Sequence, residues 1–246
     1  MIQQYPLYTK ADHDVWRILF ERQTTNLADK ACTEYLECLG LLEPVLNARA
    51  IPRFDELDSF LSQETGWVIE VVPGHIPVHE FFDLLSRRRF PSSTWLRTMD
   101  QLDYLEEPDM FHDIYGHIPL LVEARYADFM QRIGQLGTDW SHDEEVVRAL
   151  RSLYWFTIEF GMLSHLGQRK IYGAGILSSY GESRRVVMAS TECLAFDIDR
   201  ILGTDFRTDT MQECYYGAPT YDAFLASIDD VESILSHRLK RTRSTR

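Results

Sequence analysis

The apolar residues of the first ninety positions recur at helical spacing, then briefly at strand spacing. Thr9 and Asp12 form a capping pair ahead of Val15, Ile18 and Leu19, which make one helical stripe. A second helix is expected from Leu27 to Leu39, with Gly40 as its stop. A third follows Pro52 and turns Phe54, Leu57, Phe60 and Leu61 inward, ending at Gly66. Trp67 to Val72 is rich enough in β-branched residues to be a short strand. Pro73 and Gly74 force a turn, and Pro77 opens a helix carrying Phe81, Phe82, Leu84 and Leu85. That helix runs into Arg87, Arg88 and Arg89, which fit a solvated face or partners for surface acids.

Further on, a helix is expected from Asp143 to Leu166. Its part from Leu153 to Leu163 is apolar nearly all round, so both faces should be buried. Glu159 is the one charge in that run, and a buried carboxylate needs an arginine or a bound cation. Trp155 lies one turn earlier on the same face. Lys170 to Glu182 is punctuated by glycine and then β-rich, which suggests an extended segment whose glycines let backbone approach a ligand. Helix is expected again from Thr191, with a turn at Gly203 to Asp205 and a last helix after Pro219. The pattern is mainly α with a few short strands.

Composition narrows the class. A chain of 246 residues, 45% hydrophobic and 12% aromatic, fits one domain with one well-buried core. A formal charge of −13 and a pI near 5.0 argue against nucleic acid or an anionic membrane as partner. The basic tail from His237 to Arg246 is the local exception and reads as a frayed, flexible terminus. Cys32, Cys38, Cys193 and Cys214 show neither a zinc-knuckle spacing nor a disulfide framework, which implies a reducing compartment. With no secretory signal and no long uncharged apolar run, a cytoplasmic location is expected.

The densest chemistry lies in PDMFHDIYGHIPLL, Pro108 to Leu121. His112 and His117 are five residues apart, about 140° round an ideal helix, so an unbroken α-helix cannot aim both rings at one point. The helix is therefore expected to end beside His117, with Pro108 at its start and Gly116 and Pro119 at its close. Two imidazoles and the Glu159 carboxylate form the facial set that suits non-haem Fe(II). Zinc competes for the same ligands, in a hydrolase with Asp113 as candidate base. Arg97, in an apolar setting after Trp95 and Leu96, is placed to clamp a carboxylate.

Three runs, EEPDMFHDIYGHIPLL, YWFTIEFG and KIYGAGILSSYGE, in that order and with QLDYL before them, resemble the pterin-dependent aromatic amino acid hydroxylases, bacterial phenylalanine hydroxylase branch. The similarity spans roughly Pro52 to Phe224, and the regulatory and tetramerisation segments of the animal enzymes have no counterpart. The resemblance implies a monomeric, mostly helical catalytic domain using Fe(II), tetrahydropterin and oxygen to hydroxylate an amino acid ring. It casts His112, His117 and Glu159 as iron ligands, and Arg97, with Ser178, as the holder of the substrate carboxylate. It places Pro108, Trp155, Phe160 and Gly175 around the substrate ring, and Gly74, Ile76, Phe81 and Tyr154 around the pterin. Trp155 stands where tryptophan hydroxylases usually have phenylalanine, which favours phenylalanine as substrate. Thr208 stands where para-hydroxylating enzymes usually carry an aliphatic residue, and Cys193 at another position that is usually not cysteine. That pairing resembles the meta-hydroxylating branch, so meta-tyrosine is the expected product and para-tyrosine the alternative.

Overall fold

Thr9 opens helix α1, Lys10–Leu27, with the reciprocal cap its sequence suggests: its hydroxyl accepts from the Asp12 N–H, and the Asp12 carboxylate accepts from its own N–H at 2.7 Å. The computed structural model describes residues 1–103, 105, 107–208, 210 and 212–244, with side chains described up to residue 236. The expected helix from Leu27 to Leu39 is corrected. Leu27 ends α1, and α2 is Thr33–Leu41 with Gly40 inside it. Between them Lys30 and Cys32 exchange backbone hydrogen bonds with Ile171, so those groups pair with an extended segment and are lost to a helix.

Helix α3, Phe54–Glu64, and strand β1, Val68–Val71, follow their expected course. Gly66 turns the chain between them with φ 77°, a setting that favours glycine. Helix α4 is Val78–Ser86, and β2, Arg89–Ser92, runs parallel to β1 with Val68 opposite Arg89. The three arginines meet surface acids: Arg87 pairs with Asp83, Arg88 with Asp128, and Arg89 with Glu70 at 2.7 Å. No element is expected over 124–139, yet α5, Ala124–Asp139, forms there and packs on α4. A side chain at Gly134 would collide with the backbone of Leu85 and Ser86, and one at Gly137 with the Phe82 ring. Those two glycines let the helices touch.

Helix α6 is Glu144–Tyr154, capped by the Asp143 carboxylate. The expected helix to Leu166 stops at Glu159, because Met162–His165 is strand β3, paired with β4, Gln168–Ile171, through a turn at Leu166 and Gly167. The expected extended segment from Lys170 to Glu182 is likewise extended only at its start. Helices α7, Ala174–Leu177, and α8, Tyr180–Arg185, occupy the rest, the second capped by the Ser179 hydroxyl. Helix was expected from Thr191, but Glu192–Ala195 is strand β5. It pairs in parallel with β6, Cys214–Ala218, where Cys193 faces Tyr215 in register. Helix α9, Ile198–Gly203, lies between them, and α10, Tyr221–Ser244, ends the described chain. The backbone of the basic tail continues α10 as far as Ser244, while its side chains and residues 245–246 fall outside the described residues, as does Tyr104 of QLDYL.

The four-stranded sheet runs in the order β4, β3, β6, β5 and is subordinate to the helices. The aromatic core is centred on the histidine segment. Phe111 and Tyr115 stack at 4.8 Å, Trp16 and Phe20 of α1 meet them edge-on, and the Tyr35 hydroxyl of α2 donates to the Tyr115 carbonyl at 2.8 Å. The motif of Pro108 to Leu121 is therefore clamped from behind before any chemistry is considered.

Candidate metal centre and substrate pocket

His112 and His117 converge without the helix ending between them. The chain from His112 to His117 forms a π turn, then continues as a tight 3₁₀ turn over Pro119–Val122. This corrects the expected break. A π turn bonds residue i to i+5, so side chains five apart lie over one another. Glu159 sits on a second π turn, Trp155–Glu159, closed by the Phe160 N–H donating to the Trp155 carbonyl at 2.9 Å. Two wide turns face each other, and each carries metal-type donors.

The His112 and His117 Nε2 atoms are 3.2 Å apart, with the Glu159 carboxylate oxygens 3.6 Å from the first and 3.1 Å from the second. All three donors lie within 4.8 Å of one another, the one such group among the described residues. The ring tautomer of His112 is fixed by its neighbours. Ser178 gives its hydroxyl proton to the Ala174 carbonyl at 2.8 Å and is 2.9 Å from His112 Nδ1, so it accepts there and leaves Nε2 with a free lone pair. Burial lowers the His112 pKa to about 4, which keeps the ring neutral. Burial works to raise the Glu159 pKa, but the two histidines and hydrogen bonds from His117 and the Gly175 backbone outweigh it, and the net shift is downward. Two imidazole nitrogens and one carboxylate aimed at a common point form the donor set of a divalent cation, and the residues fit one. His117 Nδ1 is buried without a hydrogen-bond partner.

Arg97 meets a carboxylate, as its setting suggests, but an internal one. Asp109 is fully buried and accepts from Arg97 Nε and Nη2 at 2.8 Å each, and from the Arg97 backbone N–H at 3.0 Å. It also accepts from the His112 N–H at 3.1 Å, so one acid fixes the arginine and the first histidine together. Pro108 is exposed just ahead of it. Asp113 accepts from the Ser93 N–H at 2.8 Å and from the Ser92 and Ser93 hydroxyls, and burial pushes its pKa up to about 7.

Close in sequence to Glu159, Trp155 stacks with Phe206 at 4.6 Å and lies 4.6 Å from the Phe160 ring. A side chain at Gly175 would come 3.2 Å from the Glu159 carboxylate and 3.1 Å from Phe160, so the glycine does permit close approach there. Tyr154 faces His117 at 6.3 Å, and Phe81 meets Tyr154 edge-on at 5.0 Å. Gly74 and Ile76 are half-buried in the loop before α4, Gly74 with φ 145°. Thr208 is exposed two residues past Phe206, and Cys193 is half-buried with its thiol beside Ser164 and Gly217. Asp109, Phe206, Gln212 and Phe90, which packs on His117 at 4.7 Å, are site neighbours that the sequence reading did not single out. Asp109 was legible as an acid next to Pro108 and His112; lone aromatics such as Phe206 carry no such signal.

A family model described as biopterin-dependent aromatic amino acid hydroxylase matches residues 4–242. The chain belongs to that family. As a biopterin-dependent aromatic amino acid hydroxylase it is 44% identical over 223 residues to a phenylalanine-4-hydroxylase of Ralstonia nicotianae, covering 90% of this chain and 70% of the relative. A phenylalanine hydroxylase from Chromobacterium violaceum, solved with iron(III) and the oxidised cofactor 7,8-dihydrobiopterin, superposes with a TM-score of 0.87. It is 39% identical, over 96% of this chain and 86% of that one. The same protein solved with iron and phenylalanine gives a TM-score of 0.85 at 37% identity, over 92% and 82% of the two chains. The zinc-hydrolase alternative finds no support in this membership. Among the described residues no helix is long and apolar enough to cross a membrane.

Proposed function

We propose that the protein hydroxylates the ring of L-phenylalanine, at the meta carbon, with Fe(II), a tetrahydropterin and oxygen. The observation that carries the reading is the convergence of His112, His117 and Glu159 at one point, with two aromatic groups, Trp155 with Phe160 and Phe81 with Tyr154, close by. When bound, iron and pterin together supply the oxygen chemistry that a side chain cannot. His112, His117 and Glu159 would hold the iron. The chain's own residues bind and aim the substrate.

Arg97 keeps its remaining N–H groups for the amino acid carboxylate, because Asp109 occupies only Nε and Nη2. Trp155 and Phe160 confine the phenyl ring, and Phe81 with Tyr154 presents flat apolar surface to the pterin. Phenylalanine as substrate is further supported by the relatives: the Ralstonia nicotianae protein is named a phenylalanine-4-hydroxylase, and the Chromobacterium violaceum enzyme was solved with phenylalanine. The meta position is favoured by two departures. Thr208 lies two residues past Phe206, the ring behind Trp155, and Cys193 is paired in register with Tyr215, which packs toward Phe160 at 6.4 Å. A wall that is smaller or more polar there lets the ring tilt. Para-hydroxylation is the second reading, favoured by the 4-hydroxylase name of the relative.

Iron-loaded protein mixed with phenylalanine and tetrahydropterin in air should consume pterin and oxygen together. A product one oxygen heavier than phenylalanine should form. Consumption that is independent of iron, or a mixture without that product, would contradict the proposal.

A further inference from the structure

Phe206 and Phe160 face the Trp155 indole, both at 4.6 Å. Phe206 stacks at 13° and Phe160 is tilted by 40°, and such apolar ring contacts tolerate sliding, so they fix the plane of the indole better than its position within that plane. Among the described residues, directional contact comes from one place. The indole N–H donates to Gln212 Oε1 at 2.8 Å.

Gln212 is itself immobilised. It is 7% exposed, its side-chain amide donates to the Cys214 carbonyl at 3.0 Å, and its backbone N–H donates to Glu182 Oε1 at 3.1 Å. The other Glu182 oxygen accepts from the Tyr215 hydroxyl. Glu182 lies on α8, whose cap Ser179 directly follows Ser178, the residue that orients His112. One corner of the fold thus sets a metal ligand through Ser178 and a pocket wall through Glu182, Gln212 and Trp155.

We infer that Gln212 is a positioning residue for ring hydroxylation: its side-chain carbonyl pins the in-plane setting of the Trp155 indole and thereby where the substrate ring lies over the metal ligands. The inference rests on the reading of Trp155 as a wall of the phenylalanine pocket. Gln212 touches no substrate in this role. Placement errors near 1 Å change rates on the order of 100-fold, so a slipped indole should show in where and how well oxygen is delivered.

The test compares Q212M, which keeps length and removes the acceptor, with Q212E, which restores an acceptor, and with W155F, which removes the donor. Each iron-loaded full-length protein is assayed for tyrosine isomers and for product formed per pterin consumed. Ultraviolet resonance Raman then reads the indole N–H band, with W155F subtracted to isolate Trp155. The Trp155 band should shift in Q212M, product per pterin should fall on the order of fivefold, and the isomer ratio should change. Q212E, which keeps the acceptor for the indole N–H but loses the donor to the Cys214 carbonyl, should recover part of that loss, and the W155F/Q212M double variant should lose no more than W155F alone. A purely structural Gln212 would alter stability and leave the isomer ratio alone. Where Q212M does not fold, Q212N, which retracts the carbonyl by one methylene, gives the same readout. Unchanged coupling and isomer ratio in an active Q212M, or additive losses in the double variant, overturn the role of Gln212. A wild type that forms no hydroxylated product refutes the phenylalanine reading itself, and this role with it.

Discussion

Asp109 grips Arg97 at three points, two of its side-chain nitrogens and its backbone N–H, and is itself fully buried. Removing one partner of a buried pair leaves the other charge uncompensated, at a cost of about 3–5 kcal/mol. Asp109→Ala should lower unfolding free energy by that order in urea titrations. It should also raise the KM for phenylalanine on the order of tenfold or more, since the freed guanidinium loses its aim. A stable variant with wild-type KM would show that Arg97 does not hold the substrate.

Glu159→Ala removes one of three donors. Metal analysis of protein reconstituted with Fe(II) should fall from about one iron per chain to a small fraction. Chelation of the wild type should lower its melting temperature, because a ligand that binds only the folded state stabilises it. Equal iron content in the two proteins would place the metal elsewhere.

Ser178→Ala withdraws the acceptor that fixes the His112 tautomer. Losses from such outer hydrogen bonds to metal ligands run about 10–100-fold in affinity. Competition with a fluorescent chelator should give a weaker iron affinity in that range, while Ser179→Ala, one residue on, should affect mainly the capping of α8.

Acid stability of the metal-free protein should reveal two opposed groups. His112 has a folded pKa of about 4 against an ordinary 6.5, so the unfolded chain binds more protons between those values and stability rises with pH there. Asp113 is raised from 3.8 to about 7, so the folded chain binds more protons in that window and stability falls as pH rises. Asp113→Asn deletes the second contribution. The variant should therefore gain on the wild type steadily from about pH 4 to pH 7, and level off above, in urea midpoints. A difference that stays flat across the window would mean that Asp113 titrates normally.

Much of the site was readable before the fold. Glu159 stood out because a carboxylate in an apolar run needs a partner, and the histidine pair because it was bracketed by Pro108, Gly116 and Pro119. The geometry that unites them was not readable. An α-helical period of 3.6 separates His112 from His117, and nothing in side-chain pattern announces a π turn, which is selected by the packing around it. Strand β5 was misread as helix because its four residues pair in parallel with β6, a contact 22 residues along the chain. Helix α5 went unseen for a related reason: Gly134 and Gly137 weaken its intrinsic propensity, and their value appears only where α4 presses on them. Trp155 was placed by resemblance, but the partners that hold it, Phe206 and Gln212, come from a distant segment.

The most direct measurement is a chromatogram. Iron-loaded protein is incubated with L-phenylalanine, tetrahydropterin and air, and the products are resolved against ortho-, meta- and para-tyrosine. Meta-tyrosine should be the major product, and replacing Cys193 and Thr208 together with bulkier aliphatic residues should shift the yield toward para. Para-tyrosine alone from the wild type would contradict the meta assignment, and the absence of any tyrosine would contradict the proposed activity.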